Sequence, residues 1–530
     1  MKRVVFAIFL FVASVLPFSG NAQQQDKSAV EQLQKLNRFY RILNGMYVDS
    51  VDMKPIVESA IKGMLAELDP HSTYLTKEEM DAARESTEGE FSGIGVQYNI
   101  HNDSIMVINT VPQGPADRVG VLPNDRIVEI DGQSVVGIKR DDVPPKLRGP
   151  RGSVLNIGVV RKGVEGVLPF TIVRDNIPIT TIDAAYIASE GVGYIKVNRF
   201  GRTTMQEFRE AMAKLSGIDA LILDLAGNGG GLLNQAVELA GYFLPQDCVI
   251  TSVEGRVMDT ELLRAKKGGE FDGRLVVIID ENSASGSELV AGALQDWDRA
   301  VIVGRDSYGK GLVQREMPMG DGSAVRLTVA RYHTPSGRVI QRPYEKGHKE
   351  DYYKAHAARL RGNETGELSD DKPEYKTLRS HRTVYGGGGI RPDVYIYDDT
   401  TRVSDYMVKL VAQGVYNEFL MEYMDCNRQQ LLAKYPTFAE FNESFDFTDE
   451  DMQRLVTMAT NKGVVYDEAG YEHSQMIMRS QLAALVAQRL YGNSESYQLL
   501  NPRVNNSYVK ALEIMKNWTQ EGETVLNPVE

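Results

Sequence analysis

Ser285 and Lys310 are the two residues of this chain whose types and surroundings best fit nucleophilic attack and proton transfer. Ser285 lies between an apolar, β-branched run that ends at Ile279 and a segment whose apolar residues recur at helical spacing. This pattern predicts a serine at a strand-to-helix turn, beside N–H groups that lack intrahelical partners. Lys310 follows a second predicted strand, and the flanking Gly309 and Gly311 let the backbone approach a reacting centre closely.

A serine and a lysine can form a complete nucleophile-and-base pair. The serine hydroxyl becomes a useful nucleophile only when a base takes its proton. A lysine can do this when burial and neighbouring charges lower its pKa towards neutrality. Because the Ser-Lys dyad is an accepted variant of the serine-hydrolase constellation, the pair predicts Ser285 as nucleophile and Lys310 as general base.

The same residues also fit other motifs in part. Ser285 and Glu288 also have the spacing of a capping box at a helix N-terminus, and the local residues leave this alternative open. The segment from Gly304 to Lys310 nearly matches a phosphate-binding loop, but Gly311 stands where that loop needs Ser or Thr. The serine does not fit the G-x-S-x-G nucleophile elbow.

Two segments around these residues resemble the carboxyl-terminal processing proteases, also called tail-specific proteases or peptidase family S41. They are Ser283-Ala-Ser-Gly-Ser-Glu-Leu289 and Gly309-Lys-Gly-Leu-Val-Gln314, and only Gly286 departs from the usual alanine. The separation of 310 − 285 = 25 positions is the family's usual value. The resemblance implies a serine peptidase in which Gln314 orients Lys310.

A glycine-rich segment resembles the family's oxyanion loop. Asp224-Leu-Ala-Gly-Asn-Gly-Gly-Gly231 lies between a predicted strand and a predicted helix. The resemblance implies that the N–H groups of Gly230 and Gly286 hold the oxyanion. The family has Arg where this chain has Ala226, which leaves the local support of the loop in question. A plain tight turn is the alternative.

Residues 89–175 resemble a PDZ domain in four segments that occur in PDZ order. Phe91-Ser-Gly-Ile-Gly-Val96 matches the carboxylate-binding loop of such domains. The resemblance implies that the backbone of Gly93, Ile94, Gly95 and Val96 receives the C-terminus of a peptide, which adds a strand to the sheet. The last strand of this domain is predicted to end at Arg161.

The organisation of the chain is predicted as five parts and the fold class as multidomain α/β. The family resemblance implies a ClpP/crotonase-like protease core, with a PDZ domain and helical N- and C-terminal regions. The predicted parts are a signal peptide at 1–22, a helical region at 23–88, the PDZ domain at 89–175, the protease core at 176–398 and a helical region at 399–530.

Periodicity predicts particular elements inside these parts. In the core, strands are expected at 192–197, 221–225, 275–279 and 300–303, and a helix at 232–244. Residues 344–385 are polar and are expected to be an insertion or mobile loop. C-terminal helices are expected to start near Ser404, Thr448 and His473. His71, beside Pro70, is predicted to have a structural role at a turn rather than a catalytic one.

Composition narrows the function classes. The chain has 530 residues and a net charge of −13, which argues against nucleic acid as a partner. Its seven histidines show no metal-binding spacing, so neither a metal nor a cofactor is expected. The two cysteines, Cys248 and Cys426, are predicted to be buried and unpaired. Lys2 and Arg3, an apolar stretch at 4–18 and Ala22 predict a secretory signal.

Together these features predict an exported serine endopeptidase of the periplasm or cell envelope that acts near the C-terminus of protein substrates. Protein tails bound by the PDZ domain are the expected partners. A homo-oligomer and a regulatory or adaptor protein are further candidates. The alternative is a non-catalytic PDZ adaptor whose protease core is degenerate, and the intact Ser285, Lys310 and Gln314 argue against it.

Overall fold

The computed structural model describes residues 27–101, 103–360, 372–397 and 402–527, so the predicted signal peptide lies outside the described residues. The chain divides into two compact units, one ending at Met64 and the other beginning at Leu65. The first unit holds helix α1, Lys27–Met46, and most of α2, Met53–Ala66. In the described part of the chain, no helix combines the length and the apolar character needed to cross a membrane.

The second unit opens with strand β1, Thr73–Leu75, and helix α3, Lys77–Glu88. A capping box starts α3, because Glu79 N donates to the Thr76 hydroxyl at 3.2 Å and Thr76 N donates to the Glu79 carboxylate at 2.8 Å. The helix stops at Gly89, whose φ of 78° only glycine adopts without strain.

A small antiparallel sheet with two short helices follows, in the region predicted to be a PDZ domain. Its elements are β2 (Glu90–Gly93), β3 (Val96–His101), β4 (Ser104–Thr110), α4 (Pro115–Arg118), β5 (Arg126–Ile130), β6 (Gln133–Ser134), α5 (Val143–Leu147), β7 (Val154–Val160), β8 (Leu168–Val173) and β9 (Asp175–Pro178). The sheet order is β3-β4-β5-β7-β8, β6 pairs with β5, and β2 and β9 pair with each other in a separate two-stranded sheet. The prediction that the last strand ends at Arg161 is wrong, because β8 returns along β7 after a turn.

The region predicted to be the protease core alternates strands and helices. Its elements are β10 (Ile182–Ser189), β11 (Val192–Val197), α6 (Thr204–Lys214), β12 (Ala220–Asp224), α7 (Leu233–Phe243), β13 (Val249–Gly255), β14 (Met258–Arg264), β15 (Arg274–Ile279), α8 (Gly286–Asp296), β16 (Val301–Gly304), β17 (Leu312–Pro318), β18 (Ala324–His333), α9 (Lys349–Leu360), β19 (Glu374–Lys376), β20 (Thr383–Tyr385) and β21 (Val394–Tyr395). The four core strands and the helix expected from periodicity are confirmed to within one residue at each end.

Two sheets organise this region. The central sheet has the order β10-β11-β12-β15-β16-β21 and is parallel from β11 onward. Its strands are apolar on both faces because helices cover both faces. In the second sheet β18 pairs with β1, β13 and β17. The carboxyl ends of β12 and β15 therefore lie side by side, and the glycine-rich loop and Ser285 follow them directly.

Of the two alternatives predicted for 344–385, the mobile loop is wrong for much of that segment, and the insertion stays a prediction. Helix α9 and the hairpin β19–β20 occupy it, while residues 361–371 lie outside the description. Arg359 on α9 donates to the carbonyl oxygens of Asp306 and Ser307 at 2.9 and 3.0 Å. These contacts are distant in sequence, so a local polar composition does not reveal them.

The C-terminal region is helical, as predicted. Its helices are α10 (Asp405–Ala412), α11 (Val415–Lys434), α12 (Phe438–Ser444), α13 (Asp449–Asn461), α14 (Glu468–Leu490), α15 (Asn493–Val504), α16 (Asn506–Lys516) and α17 (Gly522–Leu526). Ser404 and Thr448 are N-caps, as expected. The start near His473 is wrong, because the Asp467 carboxylate accepts from Gly470 N at 3.1 Å and starts α14 earlier.

The last helices cover one face of the central sheet. Tyr508, Ile514 and Met515 of α16 are buried against Tyr194 and Ile222 of that sheet. Cys248 and Cys426 are both free thiols, as predicted. Cys426 is exposed and Cys248 is only half-buried, however, so the predicted burial is wrong for both.

Candidate active site

Ser285 occupies a sharp turn between β15 and α8. Its φ of 54° and ψ of −108° lie outside the regions that serine normally adopts. Such conformations persist only where surrounding contacts hold them, and they cluster at functional sites. The side chain is half-buried at the start of α8, as the sequence pattern predicted.

Three serines alternate along this turn, and only one has a hydroxyl that reaches solvent. Ser283 and Ser287 are fully buried. The Ser283 hydroxyl donates to Leu225 O at 2.8 Å, and the Ser287 hydroxyl donates to Asn228 O at 2.8 Å. These two serines therefore hold the turn against the glycine-rich loop, which leaves Ser285 as the candidate nucleophile.

Glu288 ties the serine turn to the lysine loop. Its carboxylate is fully buried and accepts from Ser285 N and Lys310 N at 2.8 Å each through Oε2. Through Oε1 it accepts from the Ser307 hydroxyl and Gly309 N at 2.6 Å each. The carboxylate half of the predicted capping box is thus present, and the same carboxylate also fixes the base relative to the nucleophile.

Tyr332 of β18 makes a second connection between the two segments. Its hydroxyl lies 3.0 Å from Ser285 O and also bonds Lys310 O. The ring is 3% exposed, so the phenol is held in the core beneath the site. Together with Glu288, Tyr332 connects the backbone of Ser285 to that of Lys310; among the described residues the Ser285 hydroxyl and the Lys310 amine form no hydrogen bond with each other.

Lys310 is poised to lose its proton. Burial lowers the pKa of its ammonium, and the positive charge of Arg326 lowers it further, while the carboxylates of Glu288 and Asp69 act in the opposite direction. Within the described residues its amine forms no side-chain hydrogen bond. A half-buried amine with a lowered pKa can accept a proton from a neighbouring hydroxyl.

Gln314, the predicted orienting residue, lies on β17. Its Nε2 donates to the carbonyl oxygen of His71 at 2.7 Å. This bond fixes the amide so that Oε1 is left as the acceptor. Within the described residues Gln314 forms no hydrogen bond with Lys310, and its orienting role stays a prediction.

The two glycines predicted to form an oxyanion hole lie beside Ser285. A Cβ added to Gly230 would come within 2.8 Å of both Ala284 O and Ser285 Cβ, so only glycine fits this close approach. Gly230 N donates to Asn228 Oδ1 at 2.9 Å, however, and is not directed at a substrate. Gly286 N, in the first turn of α8, needs no intrahelical partner and is the better placed donor.

A buried lysine on a neighbouring strand supports the glycine-rich loop at Ala226. Lys196 on β11 forms a 2.9 Å ion pair with Asp224 and also donates to the carbonyl oxygen of Ala226. Asp224 further accepts from Ala226 N at 2.8 Å and from the Tyr194 hydroxyl at 2.6 Å. The loop therefore keeps a cationic anchor despite Ala226, supplied by a strand that sequence reasoning had not connected to it.

The predicted peptide-binding loop of the PDZ domain joins β2 to β3. The carbonyl oxygens of Ile94 and Gly95 accept from Ala116 N and Val111 N at 2.9 and 2.8 Å. Because a trans peptide places N–H opposite C=O, the N–H groups of Gly95 and Val96 point away from these two bonds. Gly95 has a φ of 73°, and a Cβ there would lie 3.0 Å from Ile177. Gly93, the last residue of β2, completes the loop.

The segment at 69–72 also reaches the site, which the sequence did not reveal. Asp69 is buried and accepts from His71 N and Ser72 N at 2.9 Å each. The His71 ring lies 5.2 Å from that of Tyr352 on α9 and 6.2 Å from that of Tyr308. A cavity of about 660 Å³ opens beside this segment, lined by Asp69, Leu68, Leu312, Leu327, Val329, Arg331 and Tyr344 among others.

No group of three or more His, Cys, Asp or Glu side chains suited to a metal ion occurs in the portion of the chain that the structure describes.

Four family models match parts of the chain. Peptidase family S41 matches residues 191–353, and the PDZ domain matches 107–161. The N-terminal domain of the activating protease CtpB matches 14–79, and a family of unknown function matches 406–492. The S41 match contains Ser285, Lys310 and Gln314.

Named proteases are similar over most of their lengths. The carboxy-terminal-processing protease of Bartonella bacilliformis is 34% identical over 351 residues, which are 64% of this chain and 80% of the relative. Carboxy-terminal processing protease CtpB of Bacillus subtilis is 34% identical over 60% of this chain and 68% of the relative. The solved photosystem II D1 C-terminal processing protease aligns at 24% identity over 70% of this chain and 94% of that protein, with a TM-score of 0.36.

The chain belongs to the carboxy-terminal processing proteases of peptidase family S41, as the sequence motifs implied. It is a protease of multidomain α/β class, with an S41 core, a PDZ domain and helical N- and C-terminal regions. The predicted family and fold class are confirmed.

Proposed function

We propose that this protein is an exported serine endopeptidase that recognises protein C-terminal tails through its PDZ domain and cleaves near the C-terminus with a Ser285–Lys310 dyad. The observation that carries the proposal is the Glu288 carboxylate, which accepts from the backbone N–H groups of both residues at 2.8 Å. It fixes nucleophile and base to each other across 25 positions of sequence.

The chemistry follows from the geometry of the site. Ser285 Oγ attacks the scissile carbonyl while Lys310, in its neutral form, accepts the hydroxyl proton. The oxyanion is held by Gly286 N–H, and by Gly230 N–H once its bond to Asn228 opens. Lys310 then delivers the proton to the leaving amine, and water hydrolyses the acyl-enzyme with Lys310 again as base.

A fluorophosphonate probe tests the proposed nucleophile, because it reacts only with an activated serine. The purified protein is expected to be labelled at Ser285, located by peptide mass spectrometry, and labelling should disappear in Lys310→Ala. Ser283→Ala is the comparison: it removes a neighbouring buried hydroxyl that supports the turn, so labelling of Ser285 should slow at most and should not disappear. A folded protein that takes up no label would instead support the non-catalytic PDZ adaptor.

Amidation of the substrate tail is expected to weaken its recognition. We assign the N–H groups of Ile94, Gly95 and Val96 to the free α-carboxylate. Losing a hydrogen bond to a charged group costs about 1.5–3 kcal/mol, so kcat/KM for a protein substrate should fall roughly tenfold or more. The measurement compares cleavage of free-acid and C-terminally amidated forms of one substrate.

A short peptide that bypasses the PDZ domain is the control for this comparison. The dyad is untouched by amidation, so the short peptide should be cut at the same rate in both forms. Equal cleavage of free-acid and amidated protein substrates would show that the loop at Gly93 does not bind the carboxylate.

Export rests on the residues at the start of the chain. Lys2 and Arg3, the apolar stretch at 4–18 and the small residues before Gln23 support a cleaved secretory signal. N-terminal sequencing of protein from the soluble envelope fraction should begin at or near Gln23. Recovery of the full-length chain in the membrane pellet would show that the segment is kept as an anchor.

The partners proposed are protein substrates bound by their C-terminal tails. A regulatory or adaptor protein is a second proposal, supported by the match of residues 14–79 to the N-terminal domain of an activating protease. Self-association of the chain is a third.

A further inference from the structure

His71 lies among residues that position the base, although the sequence predicted only a structural role at a turn and the dyad mechanism does not use its side chain. Gln314 Nε2 donates to His71 O at 2.7 Å, and His71 N donates to Asp69 Oδ1 at 2.9 Å. The backbone of His71 is thus held on both sides. Gln314 lies four residues beyond Lys310 on the strand that leaves the lysine loop.

The imidazole ring is fixed by aromatic neighbours that also hold the lysine loop. Tyr352 meets the ring edge-on at 5.2 Å with an interplanar angle of 88°, and its hydroxyl lies 3.4 Å from Gly309 O. Tyr308, two residues before Lys310, lies 6.2 Å from the ring. The ring therefore packs against the residues on the N-terminal side of Lys310, while Gln314 contacts its backbone from the other side.

One nitrogen of this ring lacks a hydrogen-bond partner among the described residues. His71 Nε2 is buried and has no hydrogen-bond partner among the described residues. Buried polar atoms are nearly always paired, so an exception at an active site calls for a functional partner. Lys310 could donate to this nitrogen, because its amine also forms no hydrogen bond in the described chain.

Burial and the surrounding positive charges favour the neutral form of the His71 ring. Burial and the nearby positive charge of Lys310 lower the pKa of His71 to about 4, and Lys349 and Arg342 lower it too, against the opposing Asp69. A neutral ring that carries its proton on Nδ1 offers Nε2 as an acceptor. A neutral amine can direct its lone pair at Ser285 only if its N–H groups find acceptors elsewhere.

We propose that His71 is a positioning residue for Lys310, with Nε2 accepting the hydrogen bond that holds the lysine amine toward Ser285. His71 gains and loses no proton in the cycle. Lys310 alone takes the proton from Ser285 and returns it to the leaving amine. The proposal rests on the Ser285–Lys310 dyad proposed above.

Replacement of His71 by Phe and by Gln separates orientation from packing. His71→Phe keeps an aromatic ring against Tyr352 but removes Nε2, whereas His71→Gln loses the ring and restores an amide near that position. On a short peptide, His71→Phe should lower kcat by about 10- to 100-fold with little change in KM, as expected when a catalytic group is misplaced. His71→Gln should recover part of that loss.

The pH dependence gives a readout that packing would not move. On the acid side of the pH profile, kcat/KM is expected to rise as Lys310 loses its proton, and this rise is the acid limb. An acceptor bonded to Lys310 favours its ammonium form, so removing it in His71→Phe should move this limb to lower pH, and the shift should be smaller in His71→Gln. The groups that face Lys310, namely Glu288, Asp69 and Arg326, are unchanged in these variants.

His356→Phe is the matched control. His356 on α9 lies 4.5 Å from the Tyr308 ring, and the charges that act on it do not include Lys310. The same substitution there should leave the acid limb in place. A folded His71→Phe variant with wild-type kcat and an unshifted acid limb would overturn the proposal. A fully active His71→Phe variant together with an inactive His71→Gln variant would also overturn it.

Failure of the dyad itself would look different. If wild-type activity survives in Lys310→Ala, the base is misassigned whatever His71 does. Fluorophosphonate labelling and a thermal melt of every variant distinguish a lost active site from a lost fold. A His71 variant that reacts slowly with the probe, keeps the wild-type melting temperature and has a shifted acid limb supports the positioning role.

Discussion

Replacing Ser285 or Lys310 by alanine is expected to reduce kcat by at least about 10³-fold, and the double variant should be no slower than either single one. The two residues act as one unit, and removing either member of such a unit leaves only the catalysis due to binding and the oxyanion hole. Steady-state kinetics on a short peptide measure the three variants. Additive losses would show that the residues act independently.

Lys310→Arg sharpens this test because it keeps the positive charge but cannot lose its proton under working conditions. If Lys310 serves as base, the arginine variant should be as slow as the alanine variant. If the lysine contributes only a positive charge, the arginine variant should keep much of the activity. Ser283→Ala is the control for the serine side, since its hydroxyl is fully buried and bonded to Leu225 O.

The strand-turn-helix unit around Ser285 was predictable because its signals are local. The apolar run before Asp280 and the helical spacing after Ser285 each specify one element, and β15 and α8 lie where expected. The turn between them then places the serine without any knowledge of distant residues. The same holds for the strand 192–197, which was predicted with the bounds that the structure gives it.

The contacts that assemble the site were not predictable, because they join residues far apart in sequence. Glu288 was recognised as a capping residue, but its bond to Lys310 N depends on how β16 returns beside α8. Tyr332 reaches Ser285 O from a different sheet. His71 comes to the site because β1 pairs with β18, a pairing between residues about 250 positions apart for which local periodicity carries no signal.

Two further differences between prediction and structure also come from contacts between residues that are distant in sequence. Ala226 left the glycine-rich loop without its expected support, and Lys196 supplies a replacement from the neighbouring strand. The polar segment holding α9 gave little helical signal. Its order comes instead from Arg359 and Tyr352, which bond backbone carbonyls of the lysine loop.

Glu288→Gln is expected to lower kcat by about 10²-fold and to destabilise the fold. Each Glu288 oxygen accepts from two donors, so an amide must turn its NH₂ group against two of them. Leaving a buried donor unsatisfied costs about 1–3 kcal/mol, and a misplaced catalytic group costs about 10²-fold in rate. Urea unfolding and peptide kinetics measure the two effects separately.

The direction of the pH shift distinguishes an effect of the Glu288 charge from an effect of its side-chain length. The carboxylate raises the pKa of Lys310 against the larger lowering by burial, so removing the charge in Glu288→Gln should move the acid limb of kcat/KM to lower pH. Glu288→Asp keeps the charge on a side chain one methylene shorter, so kcat should fall while the limb moves less. An acid limb that shifts equally in both variants, or in neither, would contradict an electrostatic effect of Glu288 on the pKa of Lys310. Glu288 would then act only by joining the serine turn to the lysine loop.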